Sequence, residues 1–92
     1  MNLCILTGKV TSEIEFKFII KGKNKSIAHF NIELLNGSTV QIKAYNEKAD
    51  YVYRKLKKGQ IVVIEGKVTT EGIIELEQTH EIKIEIYSKK NK

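Results

Sequence analysis

The sequence has 92 residues, which allow one domain with a thin hydrophobic core and leave no room for a second domain within them. Its hydrophobic fraction of 41% is typical of a globular domain and excludes a disordered chain. The formal net charge of +5 favours a polyanionic partner, although a lysine-rich surface also keeps a small domain soluble.

The basic residues are concentrated before residue 61. Residues 1–60 carry a net charge of +6, whereas residues 61–92 carry −1. Fifteen of the sixteen basic residues are lysine, and Arg54 is the one arginine. Lysine contacts phosphate as a point charge, whereas reading of base edges favours the planar guanidinium of arginine. The composition therefore indicates either phosphate contacts with a polyanion or a solvated surface.

Cysteine usage and hydropathy predict a cytoplasmic protein. A single cysteine, Cys4, cannot form an internal disulfide, which is typical of a reducing compartment. The apolar run at residues 3–6 is too short for a signal peptide or a membrane span. We expect no membrane partner.

Alternating apolar and polar residues predict an all-β chain with one helix. Gly8 is expected to mark a bulge or a close approach in the first strand, and Gly66 lies inside a later one. Turns are predicted at residues 21–25, at Asn36-Gly37 and at Glu71-Gly72. The predicted strands cover residues 2–11, 14–20, 26–35, 39–45, 60–70, 73–77 and 81–87, with the second continuing the first after a break at Thr11-Ser12.

The period changes to helical spacing between residues 46 and 58. Apolar residues at Ala49, Val52 and Leu56 are spaced by three and four, as on one face of a helix. Asn46 is placed as an N-cap, and Gly59 is placed where a C′ glycine ends a helix. This order of strands and helix predicts a five-stranded OB-fold Greek-key barrel with the helix between strands 3 and 4. We expect one OB-fold domain over residues 1–87 and a frayed basic tail over residues 88–92.

Five segments of the chain carry motifs that occur together in one known family. They are residues 1–11, Glu15–Phe18, Ile27–Ile32, Tyr45–Ala49 and Leu56–Val68. The closest match is at the end of the helix, where Leu-Lys-Lys-Gly leads into an apolar strand ending Glu-Gly. In order and spacing these segments resemble the bacterial single-stranded DNA-binding protein family. A primosomal replication protein of the same fold is similar as well.

Beyond residue 70 the resemblance fades, and the departures concern binding. The long hairpins of the family between strands 2 and 3 and between strands 4 and 5 shrink here to Asn36-Gly37-Ser38 and Glu71-Gly72. Thr39 stands where the family commonly has a tryptophan. The family's acidic, proline-containing tail has no counterpart in residues 88–92. A minimal member without that tail fits this pattern.

Strand 3 offers the first candidate binding face. Alternation directs Val40, Ile42 and Ala44 inward and leaves an opposite face of Thr39, Gln41, Lys43 and Tyr45. The resemblance implies that Tyr45 stacks on a base, and packing beneath the helix is the alternative. Phe18 is a second stacking candidate, with a place in the core equally open to it, whereas Phe30 matches a core position.

Lysines supply the candidate phosphate contacts, since single strands are bound by stacking on aromatic rings while cations follow the backbone. Each of these lysines could equally be a solvated surface residue. The predicted set is Lys9, Lys17, Lys21, Lys23, Lys25, Lys43 and Lys67.

The sequence shows no pattern for catalysis, a metal site or a cofactor. His29, His80 and Cys4 match no zinc spacing, and no glycine-rich phosphate motif occurs. We therefore predict a binding protein that is not an enzyme.

Three functions remain open. The first is sequence-tolerant binding of single-stranded DNA in replication, repair or mobile-element transfer. The second is an OB-fold protein-interaction module that docks on a replication or conjugation partner, and the third is RNA binding. The resemblance implies a homodimer or homotetramer, and strand 1 is apolar on both faces around Leu3 to Leu6.

Overall fold

The computed structural model of the chain describes residues 3–21 and 23–81. Six strands and one helix occupy most of them. Their bounds are β1 Leu3–Val10, β2 Glu15–Lys21, β3 Lys23–Leu34, β4 Thr39–Tyr45, α1 Glu47–Lys55, β5 Ile61–Val68 and β6 Ile74–Glu81.

The first predicted strand is divided into β1 and β2, which both pair with β3. β1 pairs antiparallel with the end of β3 at residues 32–34, and β2 pairs with its beginning and middle. At the break, the amide of Thr11 donates to the Asn31 carbonyl at 3.0 Å, and the Ser12 hydroxyl accepts from the Asn31 amide at 2.9 Å. β1 and β2 together correspond to strand 1 of the predicted five, so β4 and β5 correspond to strands 3 and 4. The helix lies between these two strands, as predicted.

The sheet closes into a barrel. Its strand order is β1-β5-β6-β4-β3-β2, and the additional β1–β3 pairing joins the two sides. All pairings are antiparallel except the short parallel contact between β4 and β6 at Ile42 and Lys43. The OB-fold predicted from the order of elements is confirmed.

Alternating strand residues fill the barrel with apolar side chains. Phe30 is the largest of the fully buried side chains, as its predicted core position requires. Strands alternate because successive side chains point to opposite faces of a sheet, so every second residue is directed inward. The core comprises Val10, Ala28, Phe30, Ile32, Ile42, Ala44, Ala49, Val52, Leu56, Val62, Ile64, Ile74 and Leu76.

The helix is shorter than its sequence pattern predicts. α1 ends at Lys55, and Leu56 is extended, so Lys57 and Lys58 follow the helix. Gly59 is not the C′ residue: its amide donates to the Val10 carbonyl at 2.7 Å, and that contact holds residues 56–60 against β1. The described helix is also too short to cross a membrane.

Two other boundaries were predicted wrongly. The expected turn over residues 21–25 is shorter, because β2 and β3 stay paired up to Lys21 and Lys23. β6 does not end at residue 77 as predicted, since residues 74–81 pair with β5 apart from one register shift. The predicted strand beyond Glu81 and the tail over residues 88–92 lie outside the described residues.

Two glycines let neighbouring strands approach closely. A Cβ at Gly8 would lie 2.8 Å from the Glu33 carbonyl oxygen, which confirms the close approach expected there. A Cβ at Gly66 would clash with the Glu75 carbonyl oxygen, at the register shift between β5 and β6. Glycine is required at both positions by contact between strands, which any side chain would prevent.

Candidate nucleic-acid interface

β2, β3 and β4 share one face that points away from the core, called here the outer face. The register aligns its side chains in rows across the strands: Lys17, Ile27 and Tyr45 form one row, and Glu15, His29 and Lys43 form the next. Farther along, Asn31 lies beside Gln41 and Glu33 lies beside Thr39. All four side chains of β4 that the sequence singled out therefore lie on a single surface.

A groove of about 380 Å³ runs along this face. Apolar side chains form part of its floor and polar side chains stand along it. This combination suits bases, which have flat apolar faces and polar edges. Its lining residues are Glu15, Lys17, Ile19, Ile27, His29, Gln41, Lys43 and Ile73.

Tyr45 lies at one end of the outer face and is half-buried. Its ring is on the side of β4 opposite the buried Ile42 and Ala44, as alternation requires. The Lys25 ammonium nitrogen stands 5.5 Å from the centre of the ring, a distance suited to a cation–π contact. An aromatic ring and a cation are therefore presented together, two residues before the helix begins at Glu47.

Asn46 holds this end of the face in place. It is the N-cap residue of α1, as predicted, but its side chain makes no capping hydrogen bond. Its Oδ1 instead accepts a hydrogen bond from the Ser26 amide at 3.3 Å. The Asn46 amide in turn donates to the Ser26 carbonyl at 2.8 Å. Its φ of 55° is a conformation that asparagine adopts more readily than most residues. These two bonds fix the β2–β3 hairpin beside Tyr45.

The lysines on the outer face differ in their surroundings. Lys17 and Lys25 are exposed, and their cross-strand neighbours are the apolar Ile27 and Ile19. Lys43 is half-buried, with His29 on one side and Glu75 on the other.

Farther from Tyr45, two of the predicted lysines, Lys9 and Lys67, have a carboxylate residue as a neighbour across the strands. Lys9 is exposed and lies opposite Glu33 of β3. The Lys67 ammonium nitrogen lies 3.6 Å from the Glu77 carboxylate, and Glu75 stands opposite it across the strands. The positive charge that remains for a polyanion is therefore greatest at the Tyr45 end of the outer face.

Phe18 does not lie on the outer face. It shares a side of β2 with Phe16, opposite to Lys17, and it is exposed because it lies beyond the core. Phe16 is half-buried and its ring lies 4.8 Å from the ring of Tyr53 on α1. Tyr45 and Phe18 are thus separated by the thickness of the sheet. The side chains of Lys21 and Lys23 lie outside the described part of the chain.

Five groove residues were not selected as binding residues from the sequence: Glu15, Ile19, Ile27, His29 and Ile73. Ile27 and His29 alternate along β3 with the buried Ala28 and Phe30, and the β3–β4 register brings them beside Tyr45 and Lys43. The His29 Nδ1 lies 3.5 Å from a carboxylate oxygen of Glu15. Strand register was the missing information, since sequence alternation gives the face of a residue but not its neighbours.

The groove contains no grouping suited to metal chemistry in the described residues. Among these residues, no three His, Cys, Asp or Glu side chains lie close enough together to hold a metal ion. The outer face as a whole offers instead the Tyr45 ring, the apolar residues of the groove and ammonium groups, which can bind an extended chain of bases and phosphates.

The barrel is similar to domains of several solved structures. No curated protein sequence matches the chain. Among solved structures, the SSB domain of a protein from Synechococcus sp. superposes with a TM-score of 0.77 at 15% identity, covering 87% of this chain and 94% of that one. The second OB-fold domain of replication protein A from Methanococcus maripaludis gives 0.71 at 18% identity, covering 89% and 85%.

A longer protein shares the same fold. The single-stranded DNA binding protein from Thermus aquaticus superposes with a TM-score of 0.81 at 14% identity over 94% of this chain, which spans 42% of that protein. At these identities the structural matches show the fold. The model of the single-strand binding protein family matches residues 1–92. This chain belongs to the single-strand binding protein family.

Proposed function

We propose that the chain binds single-stranded DNA with little sequence preference, by stacking a base on Tyr45 while lysines contact the phosphates. The observation that carries the proposal is the Lys25 ammonium group 5.5 Å from the Tyr45 ring centre, on an exposed sheet face. Family membership supports it, and so does the similarity to the single-stranded DNA binding protein from Thermus aquaticus. Binding of this kind involves no catalysis.

The roles of the lysines follow from their surroundings. Lys17, Lys25 and Lys43 are the phosphate contacts nearest the ring, and Thr39 and Gln41 offer hydrogen bonds along the groove. Lys21 and Lys23 extend the set along the hairpin, and Lys9 and Lys67 form its periphery. Phosphate and ring contacts do not distinguish between bases, which accounts for the lack of sequence preference.

Short connections predict a short binding site. β3 and β4 are joined by residues 35–38, and β5 and β6 by residues 69–73, so neither connection is long enough to wrap around a strand. We expect each barrel to cover a segment at the lower end of the range of about 4–16 nucleotides per OB-fold.

Self-association is part of the proposal. Leu3 and Ile5 of β1 are exposed on the outside of the barrel, with Ile5 67% accessible. Covering them with β1 of a second copy would remove this apolar surface from water. Light scattering at micromolar concentration tests this association, and a mass equal to that of one chain would contradict it.

A protein-interaction module is the second candidate function. The exposed Phe18 and Ile20 on the hairpin, away from the outer face, favour it, because exposed apolar patches often mark protein contacts. For either function we propose a role in DNA replication, repair or mobile-element transfer. We expect the chain to act in the cytoplasm, in contact with replication proteins.

Competition between polymers separates these functions. Fluorescence anisotropy is measured with labelled single-stranded DNA, single-stranded RNA and duplex DNA of one length and one sequence composition. We expect single-stranded DNA to bind more tightly than the duplex, since a duplex does not expose the faces of its bases. Preference for RNA would support RNA binding, and absence of binding to all three polymers would favour the protein-interaction module.

A further inference from the structure

The outer edge of β2 is open in the part of the chain that the structure describes. β2 stands at the end of the strand order, and β3 is its hydrogen-bonded neighbour there. α1 approaches β2 through the contact between Tyr53 and Phe16, on a face of the strand and not along its edge. Backbone groups at every second residue of β2 therefore point away from β3, ready to pair with another strand.

Apolar side chains flank this edge on both faces of the strand. Phe18 and Ile20 are 55% and 75% exposed on one face, and Ile19 is exposed on the other. Proteins commonly protect such edges with proline, a β-bulge or charged side chains, and of these β2 has charged residues at Glu15, Lys17 and Lys21. The sequence has no proline, and the pairing of β2 with β3 runs from Glu15 to Lys21 without a shift. This edge is consequently suited to association with another strand.

We propose that the edge pairs with β2 of a second copy of the chain, antiparallel, about a two-fold axis at Phe18. Phe18 then lies beside its own counterpart, and Phe16 lies opposite Ile20. On the other face of the strand Lys17 lies opposite Ile19. At each end, the carboxylate of Glu15 lies opposite the position of Lys21. Apolar pairs and opposite charges directly across a sheet stabilise it.

The charges of β2 select this register over its neighbours. Residues directly opposite in a sheet lie on the same face, so the two-fold axis must pass through a residue position. An axis at Lys17 would place two ammonium groups directly opposite one another. An axis at Ile19 would place Lys17 opposite Lys21 twice. Like charges directly across a sheet are destabilising, so the axis at Phe18 is favoured over both of these. An axis at Phe16 or Ile20 would pair only residues 15–17 or 19–21 of β2, whereas the axis at Phe18 pairs the whole strand.

Pairing of this kind would join the outer faces of two copies. A two-fold axis between antiparallel strands stands perpendicular to the sheet, so Lys17 and Ile19 of both copies lie on the same side. The six strands β4, β3 and β2 of each copy would then present one continuous surface with a Tyr45 at each end. This consequence rests on the proposed binding of single-stranded DNA, whereas the pairing itself does not.

Disulfide cross-linking tests the register directly. Cys4→Ala first removes the native cysteine, and Phe18→Cys or Ile20→Cys is then introduced under mild oxidation without nucleic acid. A cysteine at position 18 would face its own counterpart, whereas two copies of residue 20 would be offset by four residues, about 13 Å, too far for a disulfide. We expect Phe18→Cys to cross-link about tenfold faster than Ile20→Cys or more, although Ile20 is the more exposed position.

A mixed experiment provides the matching positive control. Phe16→Cys and Ile20→Cys chains, each slow to cross-link alone, should form a disulfide with one another when combined, because the register places them opposite. Equal rates for Phe18→Cys and Ile20→Cys, or no gain from mixing, would contradict the register.

The assembly is tested by light scattering in an Ile5→Lys background, which removes the β1 association. We expect this variant to have the mass of a dimer, and addition of Phe18→Lys to reduce the mass to that of one chain. Leu35→Lys is the control, since Leu35 is 98% exposed and lies outside β2; it should leave the dimer intact. A single-chain mass for Ile5→Lys alone would overturn the proposal. Both experiments omit nucleic acid, so a failure of DNA binding would remain distinguishable.

Discussion

The two faces of β3 and β4 are formed by alternate residues of the same strands, but the side chains on each face have different surroundings. On the inner face, Phe30 and Ile42 are neighbours across the strands and are fully buried. On the outer face, Lys43 and Tyr45 remain half-buried beside a groove. We therefore expect fold stability and the proposed ligand binding to depend on separate side chains of the same two strands, so that each can be altered on its own.

The largest effect is expected from Phe30→Ala on the inner face. The side chain is 1% exposed, and its truncation leaves a cavity among the core residues of the barrel. We expect the free energy of unfolding to fall by about 3–5 kcal/mol, measured by urea denaturation followed by circular dichroism. An unfolding midpoint equal to that of the parent chain would contradict the assignment of Phe30 to the core.

Tyr45→Ala tests the outer face. Loss of the ring should weaken binding to single-stranded DNA by about 1–3 kcal/mol, the usual range for one stacked base, in an anisotropy titration. Stability should change much less than for Phe30→Ala, because the ring lies outside the core. Tyr45→Phe is the matched control and should bind as the parent does, since it keeps the ring. If Tyr45→Ala unfolds the chain while its folded fraction binds normally, the ring serves packing and the protein-interaction module becomes the better function.

Among the predicted lysines, Lys25 lies over the Tyr45 ring whereas Lys67 is paired with a carboxylate, so the two should contribute differently to binding. Lys25→Ala should reduce the slope of log affinity against log salt by about 0.7, the value for one phosphate contact on a single strand. Lys67→Ala should reduce the slope by less, because Lys67 lies at the periphery of the set and its ammonium group is paired with the Glu77 carboxylate at 3.6 Å. Replacement of Lys21, Lys23 and Lys25 together should flatten the slope further. Equal effects of Lys25→Ala and Lys67→Ala would show that pairing with carboxylates does not govern these contacts.

The smallest effect is expected from Glu75→Gln. Glu75 lies across the strands from both Lys43 and Lys67, and its charge opposes a phosphate at either lysine. Its neutralisation should tighten binding by less than about 1 kcal/mol at low salt, in keeping with the size of cross-strand charge pairs. Glu71→Gln is the control, because Glu71 lies in the turn before β6. Weaker binding of Glu75→Gln would show that the carboxylate contacts the ligand favourably.

Alternation predicted the strands and the side of each residue. Val40, Ile42 and Ala44 point inward as expected, because a two-residue period follows directly from strand geometry. The end of the helix was predicted wrongly, because Gly59 bonds to Val10, a residue far away in the sequence. Tertiary contacts of this kind override local helix preference.

The candidate site was predicted less completely than the fold. Tyr45 and Lys43 were selected from the face of β4, but the place of Lys25 over the ring depends on the register between β3 and β4. Lys67 could not be distinguished from Lys25 in the sequence, since its contact with Glu77 occurs next to the register shift between β5 and β6. Charge partners across a sheet follow from register, which a single sequence specifies weakly.

The most direct test of the account is a titration of the parent chain with fluorescent oligothymidine over a range of salt concentrations. If a base stacks near Tyr45 while Lys17, Lys25 and Lys43 contact phosphates, log affinity should fall linearly with log salt, with a slope of about −2 or steeper. A duplex of the same length should bind more weakly at each salt concentration. No measurable binding at low salt, or equal affinity for single strand and duplex, would contradict the central claim.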